Sequence, residues 1–184
     1  YVLDALTGEI LKNGAVPIKV PTGAGDTATC TAPTLCGPSG FAHISVYAND
    51  VSSNNLGLWA YGGDLWGNVW RFDLSVATPT VIKLAELKDA GGKPQPVTTY
   101  PQLTSATGKR IVMIGTGRFL GLSDYSDPST LSLPYAYTQS FYAIKDVDDT
   151  ATVGYPGSFR SAGTVANKVV QQVITTDGTG LIRT

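Results

Sequence analysis

The chain has 184 residues, enough for a buried core, and carries a formal net charge of −1 with 15% charged residues. Its 13 basic residues are scattered rather than gathered in a stripe, which argues against a nucleic-acid or anionic-membrane partner. No apolar run reaches membrane-spanning length, so a direct membrane span is not expected. The chain opens in mid-pattern at Tyr1-Val2-Leu3 without a signal peptide, as expected of a piece of a longer protein.

Frequent glycine (21) and proline (11), set among Ser/Thr-rich stretches, favour many short strands joined by turns. Residues 1–20 read as a strand, an Asp4-x-x-Thr7-Gly8 turn and a second strand. The Asp4 side chain can accept turn amides and Gly8 can supply positive φ. Residues 21–40 read as loop and Phe41–Ala48 as a strand, followed by a polar turn from Asn49 to Asn55.

The clearest pattern in the chain comes next. Leu56, Leu58 and Trp59 lead into Gly62-Gly63-Asp64, and Gly67-Asn68 closes a turn. The return strand alternates, with Trp70, Phe72 and Leu74 on one face and Val69, Arg71 and Asp73 on the other. Aromatics at Trp70 and Phe72 would hold this hairpin to a second layer.

Thr80–Leu84 reads as a further strand and residues 85–94 as loop. Gln95–Leu103 is an extended segment pinned by prolines, and Arg110–Ile114 is a buried strand ending at Gly115-Thr116-Gly117. A polar excursion from Leu122 to Tyr137 returns as the strand Gln139–Asp146; residues 147–167 read as loop, and Lys168–Ile174 as one more strand. No segment carries a helical pattern.

Aromatic-x-apolar-Asp occurs at Tyr1–Asp4 and Trp70–Asp73, and more loosely at Tyr142–Asp146. The interval is wider than the ~40–50 residues of compact propeller blades, so loop insertions such as 21–40 and 122–137 are expected. The predicted fold class is all-β, with propeller blades from a larger, seven-bladed ring. Residues 1–37 form the end of one blade plus a loop, 38–94 a second blade, and 95–184 a third blade and following strand. Parts of three blades cannot close a ring of 4–8.

Signals for chemistry are sparse. Cys30 and Cys36 lie in one loop and suit a local disulfide, which implies an oxidising compartment; two free thiols or half of a metal site are the alternatives. His43 is the only histidine, which leaves zinc short of ligands. No nucleophile elbow accompanies it, so it reads as a strand residue with a satisfied imidazole. Gly115-x-Gly117-x-x-x-Gly121 echoes a dinucleotide loop but lacks the helix needed to hold a pyrophosphate. Asp124 with Asp127, and Asp146 with Asp148 and Asp149, read as solvated loop acids rather than a hydrolytic carboxylate pair. The expectation is a non-enzymatic protein.

Four motifs, in order, resemble the PilY/PilC type IV pilus biogenesis family. They are Tyr61-Gly62-Gly63-Asp64-Leu65-Trp66-Gly67-Asn68-Val69-Trp70-Arg71-Phe72-Asp73-Leu74, Gln95-Pro96-Val97-Thr98-Thr99-Tyr100-Pro101, Ile114-Gly115-Thr116-Gly117-Arg118-Phe119-Leu120 and Gln139-Ser140-Phe141-Tyr142-Ala143-Ile144-Lys145-Asp146. They cover about residues 38–146. The resemblance implies the C-terminal β-propeller of a large extracytoplasmic protein at the outer membrane surface, at the pilus tip or secreted. Such a protein supports pilus assembly, opposes retraction and contributes to adhesion. Its implied partners are pilus subunits or minor pilins, with a host surface or other extracellular ligand.

The resemblance also implies a calcium loop ahead of the hairpin, at Asp50, Ser52, Asn54, Leu56 and Leu58. Asp50, Ser52 and Asn54 can offer side-chain oxygens and Leu56 its carbonyl, but Leu58 removes the closing carboxylate. By residue chemistry this stretch is a solvated Asx-type turn without calcium. Two other readings stand beside the pilus one. Tyr1–Ile10 also resembles the Asp-x-x-Thr-Gly repeat of quinoprotein dehydrogenases, although a cofactor pocket and catalytic Asp cannot be placed and Cys30 and Cys36 are not adjacent. The other is a surface ligand-binding propeller using Tyr125–Tyr137 as its recognition loop.

Overall fold

The structure, a computed structural model, describes residues 1–4, 6–25, 38–48, 52–53, 56–89, 91–118, 120, 139–146, 175–176 and 182–183. Its strands are β1 (Lys12–Asn13), β2 (Val16–Pro17), β3 (Ile44–Ala48), β4 (Gly57–Gly63), β5 (Asn68–Asp73), β6 (Thr80–Glu86), β7 (Gln102–Ala106), β8 (Lys109–Gly115), β9 (Phe141–Lys145), β10 (Thr175–Thr176) and β11 (Ile182–Arg183). Two sheets dominate, a four-stranded meander β3-β4-β5-β6 and a three-stranded meander β7-β8-β9, each with every neighbouring pair antiparallel. Two short ladders, β1-β2 and β10-β11, stand apart from them. No helix occurs among the described residues.

The central hairpin forms where its sequence pattern placed it, with β4 taking in Gly62 and ending at Gly63 ahead of Asp64. A side chain at Gly63 would collide with that of Val97, so the missing Cβ lets the chain between the two sheets close onto the strand. The turn between β4 and β5 ends at Gly67, whose φ of +79° is strained for any residue with a side chain. Here the Leu87 and Gln95 backbones also press close, and a Cβ at this position would stand only 2.6 Å from the Leu87 carbonyl oxygen.

Register fixes the faces. Tyr61 pairs with Arg71 and Trp59 with Asp73, placing Trp59, Tyr61, Val69 and Arg71 on one face of the four-stranded sheet. This inner face packs on Val112, Ile114, Tyr142 and Ile144 of the three-stranded sheet, with Leu84, Ala85, Leu87 and Val97 completing one core. The expectation that Trp70 and Phe72 hold the hairpin to this second layer is therefore corrected. They point to the opposite, outer face, where Phe41 meets Phe72 edge-to-face at 5.6 Å. Alternation gave both faces large apolar groups, and the neighbouring sheet took the one that also carries Tyr61 and Arg71.

Several boundaries differ from the sequence reading. The strand expected at Phe41–Ala48 begins at Ile44. The 85–94 loop is partly ordered as the end of β6 and a Lys88–Pro94 bridge. Beyond the extended Gln95–Pro101 segment, β7 continues to Ala106 and turns through Thr107-Gly108, both at positive φ, into β8. The 168–174 strand lies outside the described residues. At the N-terminus, Leu6 and Thr7 amides donate to Asp4 Oδ1, and Gly8 has φ of +72°, as the turn chemistry required.

Candidate functional site

The most highly organised cluster of polar side chains sits between the two sheets. Tyr61 on β4 and Arg71 on β5 point from the four-stranded sheet, and Arg110 on β8 points from the three-stranded one. Asp146 follows β9 directly and is anchored by its own amide, which donates to the Arg110 carbonyl at 2.8 Å. All four residues are buried, Asp146 completely.

Asp146 takes Arg71 on one oxygen, with Nη1 to Oδ1 at 2.6 Å. Its other oxygen, Oδ2, accepts the Tyr61 hydroxyl at 2.6 Å and Arg110 Nη2 at 3.2 Å. Arg110 Nε donates to the Tyr61 oxygen at 2.7 Å, closing a ring of contacts across the junction. The Arg110 guanidinium also lies 3.9 Å from the centre of the Trp59 ring, a cation–π contact that compensates part of its desolvation. Burial, reinforced by the hydrogen bond to Asp146, raises the Tyr61 phenol well above its ordinary value of 10.0, so it stays protonated and donates.

This arrangement corrects the reading of Asp146 as a solvated loop acid. A carboxylate with no exposure, held by two guanidinium groups and a phenol, is an anchor between sheets rather than a proton shuttle. Asp124, Asp127, Asp148 and Asp149 lie outside the described residues.

Two further polar residues of the motifs, Asp64 and Gln95, brace the hairpin and the connection that follows it. Asp64 heads the β4–β5 turn. Its carboxylate accepts the Trp66 and Asn68 amides, the Asn68 side chain and Trp70 Nε1, all at 2.9 Å for the closest contact of each. Its backbone carbonyl accepts the Val97 amide at 3.0 Å, tying the turn to the connection that enters the next sheet. Gln95, fully buried in that connection, accepts the Tyr142 hydroxyl at 2.6 Å and donates to Ser140 Oγ at 3.0 Å. Sequence reasoning missed Gln95 as a pin; its only signal was a polar residue before Pro96 in an otherwise ordered motif.

Of the expected calcium positions, Asp50 and Asn54 lie outside the described residues, as do Cys30 and Cys36. Ser52 is exposed in the β3–β4 connection. Leu56 is exposed and Leu58 is a half-buried β4 residue on the apolar outer face. The described part of this donor set does not fit an EF-hand-like calcium loop, because an alkyl side chain stands where the closing carboxylate belongs. No group of three or more His, Cys, Asp or Glu capable of holding a metal occurs among the described residues. His43 is also placed differently from the strand reading: it precedes β3, is exposed, and stacks on Tyr100 with ring centres 3.8 Å apart.

The chain is similar in structure to the C-terminal domain of Pseudomonas aeruginosa PilY1, known from its crystal structure, with a TM-score of 0.59 and 24% identity. The match covers 85% of this chain. The sheets are propeller blades. The chain spans about a third of the PilY1 domain, 32%, and the likeness at this identity shows the fold. No protein-family model and no curated protein matches the chain.

Proposed function

We propose that this chain is part of a non-enzymatic, extracytoplasmic type IV pilus-associated factor, and that its blades form the scaffold of a larger, seven-bladed propeller. The observation that carries this reading is the structural likeness to the PilY1 C-terminal domain over most of the chain. It is supported by where the four motifs fall. Their Tyr61, Arg71 and Asp146 side chains meet between the two sheets, Gln95 pins the connection between the sheets to Tyr142, and Asp64 fastens its own hairpin through Trp70. Such residues favour a scaffold over catalysis. Pilus subunits or minor pilins are the partners this reading assigns, with support of pilus assembly, control of retraction and adhesion as the roles.

The reading includes no calcium switch in this chain, because Leu58 replaces the closing ligand. Isothermal titration with Ca²⁺ checks this: absence of binding at millimolar calcium is expected, and binding abolished by Asp50→Ala would contradict it. For the function itself, deletion of the parent gene is expected to reduce surface pili and twitching motility. Normal piliation and twitching in the deletion strain would overturn the proposal.

A further inference from the structure

We propose that Asn13 is a site of spontaneous covalent modification, losing its side-chain amide to attack by the backbone nitrogen of Gly14. The inference rests on the β1–β2 turn and is independent of the pilus reading. The Gly14 nitrogen bonds to Asn13 Cγ, its proton leaves with the amide group as ammonia, and a five-membered succinimide ring closes. Water then opens the ring. Attack at the side-chain carbonyl gives an aspartyl residue, and attack at the main-chain carbonyl gives an isoaspartyl residue, whose backbone runs through the side-chain carbons. Water is the only co-reactant, and nothing is oxidised or reduced.

Asn13 is the one asparagine of the chain that precedes a glycine. Without a Cβ on the attacking residue, little crowds the nitrogen as the ring closes. Asn13 ends β1 and pairs with Val16, which leaves Gly14 and Ala15 as a two-residue turn. Gly14, the first turn residue, has φ of +65°, as a type II′ turn requires. The ladder closes between Asn13 and Val16, so the Gly14 amide lies outside it. Residues 12–16 are all exposed, and a Cβ built at Gly14 would meet no atom within 4 Å. The ladder has only two residue pairs and stands apart from both large sheets. A two-stranded hairpin is marginal in water. It therefore opens without disturbing the core, which frees the Asn13 backbone to rotate into the ring-closing conformation.

Asn68 is the opposite case in the same molecule. It is buried, and its Nδ2 donates to the two Asp64 oxygens at 3.2 and 2.9 Å. The residue that would attack it is Val69, which is β-branched, fully buried and paired with both Gly63 and Ala85. Ring closure there would dismantle the turn that Asp64 organises, so Asn68 is protected by the fold. Asn49, Asn54, Asn55 and Asn167 lie outside the described residues, and each precedes a residue with a side chain: Asp50, Asn55, Leu56 and Lys168. At Asn13 either product sets a carboxylate next to Lys12 in sequence. The isoaspartyl form also lengthens the main chain by one carbon, which the register set by a two-residue turn does not absorb.

Peptide mapping by mass spectrometry tests this on the 184-residue chain, fresh and after prolonged warm incubation at neutral pH. The expected result is the mass gain of an amide-to-carboxylate exchange in the peptide that contains residue 13. That peptide should split into two chromatographic species, aspartyl and isoaspartyl, while the Asn68 peptide stays unchanged. Gly14→Ala is expected to slow the conversion severalfold by crowding the nucleophile. Asn13→Gln, which would have to close a six-membered ring, is expected to show no conversion over the same interval and leaves the turn glycine in place. An unchanged residue 13 in the aged parent chain, equal conversion of Asn13 and Asn68, or undiminished conversion in Gly14→Ala overturns the proposal.

Discussion

The two faces of the four-stranded sheet carry comparable apolar residues but differ in what surrounds them. The inner face buries Tyr61, Val69 and Arg71 against a second sheet and gives Tyr61 and Arg71 a shared partner, Asp146, across the junction. The outer face buries Trp70 by local contacts, through its bond to Asp64 and the Lys83 side chain, and leaves Ile44 and Val46 half in solvent. Apolar patterning alone makes a face sticky; the polar residues on it decide which partner it accepts.

Breaking the inner face at its anchor has the largest expected effect. Asp146→Ala leaves Arg71 and Arg110 buried without their acid and should cost about 3–5 kcal/mol in urea unfolding. Gly63→Ala forces a methyl into the Val97 side chain and should cost about 1–3 kcal/mol, read from the same transition. Tyr61→Phe removes one hydrogen-bonding hydroxyl while both arginines still hold Asp146; about 1 kcal/mol is expected at neutral pH.

The Tyr61 variant has a second, pH-dependent signature. The phenol's ionisation is raised in the folded chain, so its contribution is complete below pH 10 and is lost as pH climbs above that value, where only the unfolded chain releases the proton. The slope is at most about 1.4 kcal/mol per pH unit. Tyr61→Phe should flatten the alkaline decline in stability, and an unchanged decline would show that Tyr61 is not its source. On the other face, Val46→Asp, at a half-exposed position, should leave stability within about 0.5 kcal/mol of the parent. A larger loss would mean that the outer face is part of the fold of a single molecule.

Much of this was legible in the sequence where local chemistry decides the outcome. The Asp4 turn, the β4–β5 hairpin and strands β8 and β9 follow from alternation and turn residues. Strand β7 was harder, because Gln102, Thr104 and Ser105 are exposed and only Leu103 packs toward the core. The choice of buried face was not legible, since Trp70/Phe72 and Val69/Arg71 both offer surface and only the neighbouring sheet distinguishes them. Asp146 and Gln95 were invisible as anchors for a related reason. Asp146 stands just past the end of β9 and Gln95 in the connection between β6 and β7, places where a polar residue ordinarily faces water, and their partners lie 36 or more positions away in sequence for Asp146 and 45 or 47 for Gln95.

The central claim is that two blades fold as one unit keyed by Asp146. Native-state hydrogen exchange on the parent chain and the Asp146→Ala variant tests it most directly. Amides of Gly57–Asp73 and of Lys109–Gly115 with Phe141–Lys145 should open together in the parent and lose protection together in the variant. Loss confined to the three-stranded sheet, with the Gly57–Asp73 hairpin fully protected, would contradict it.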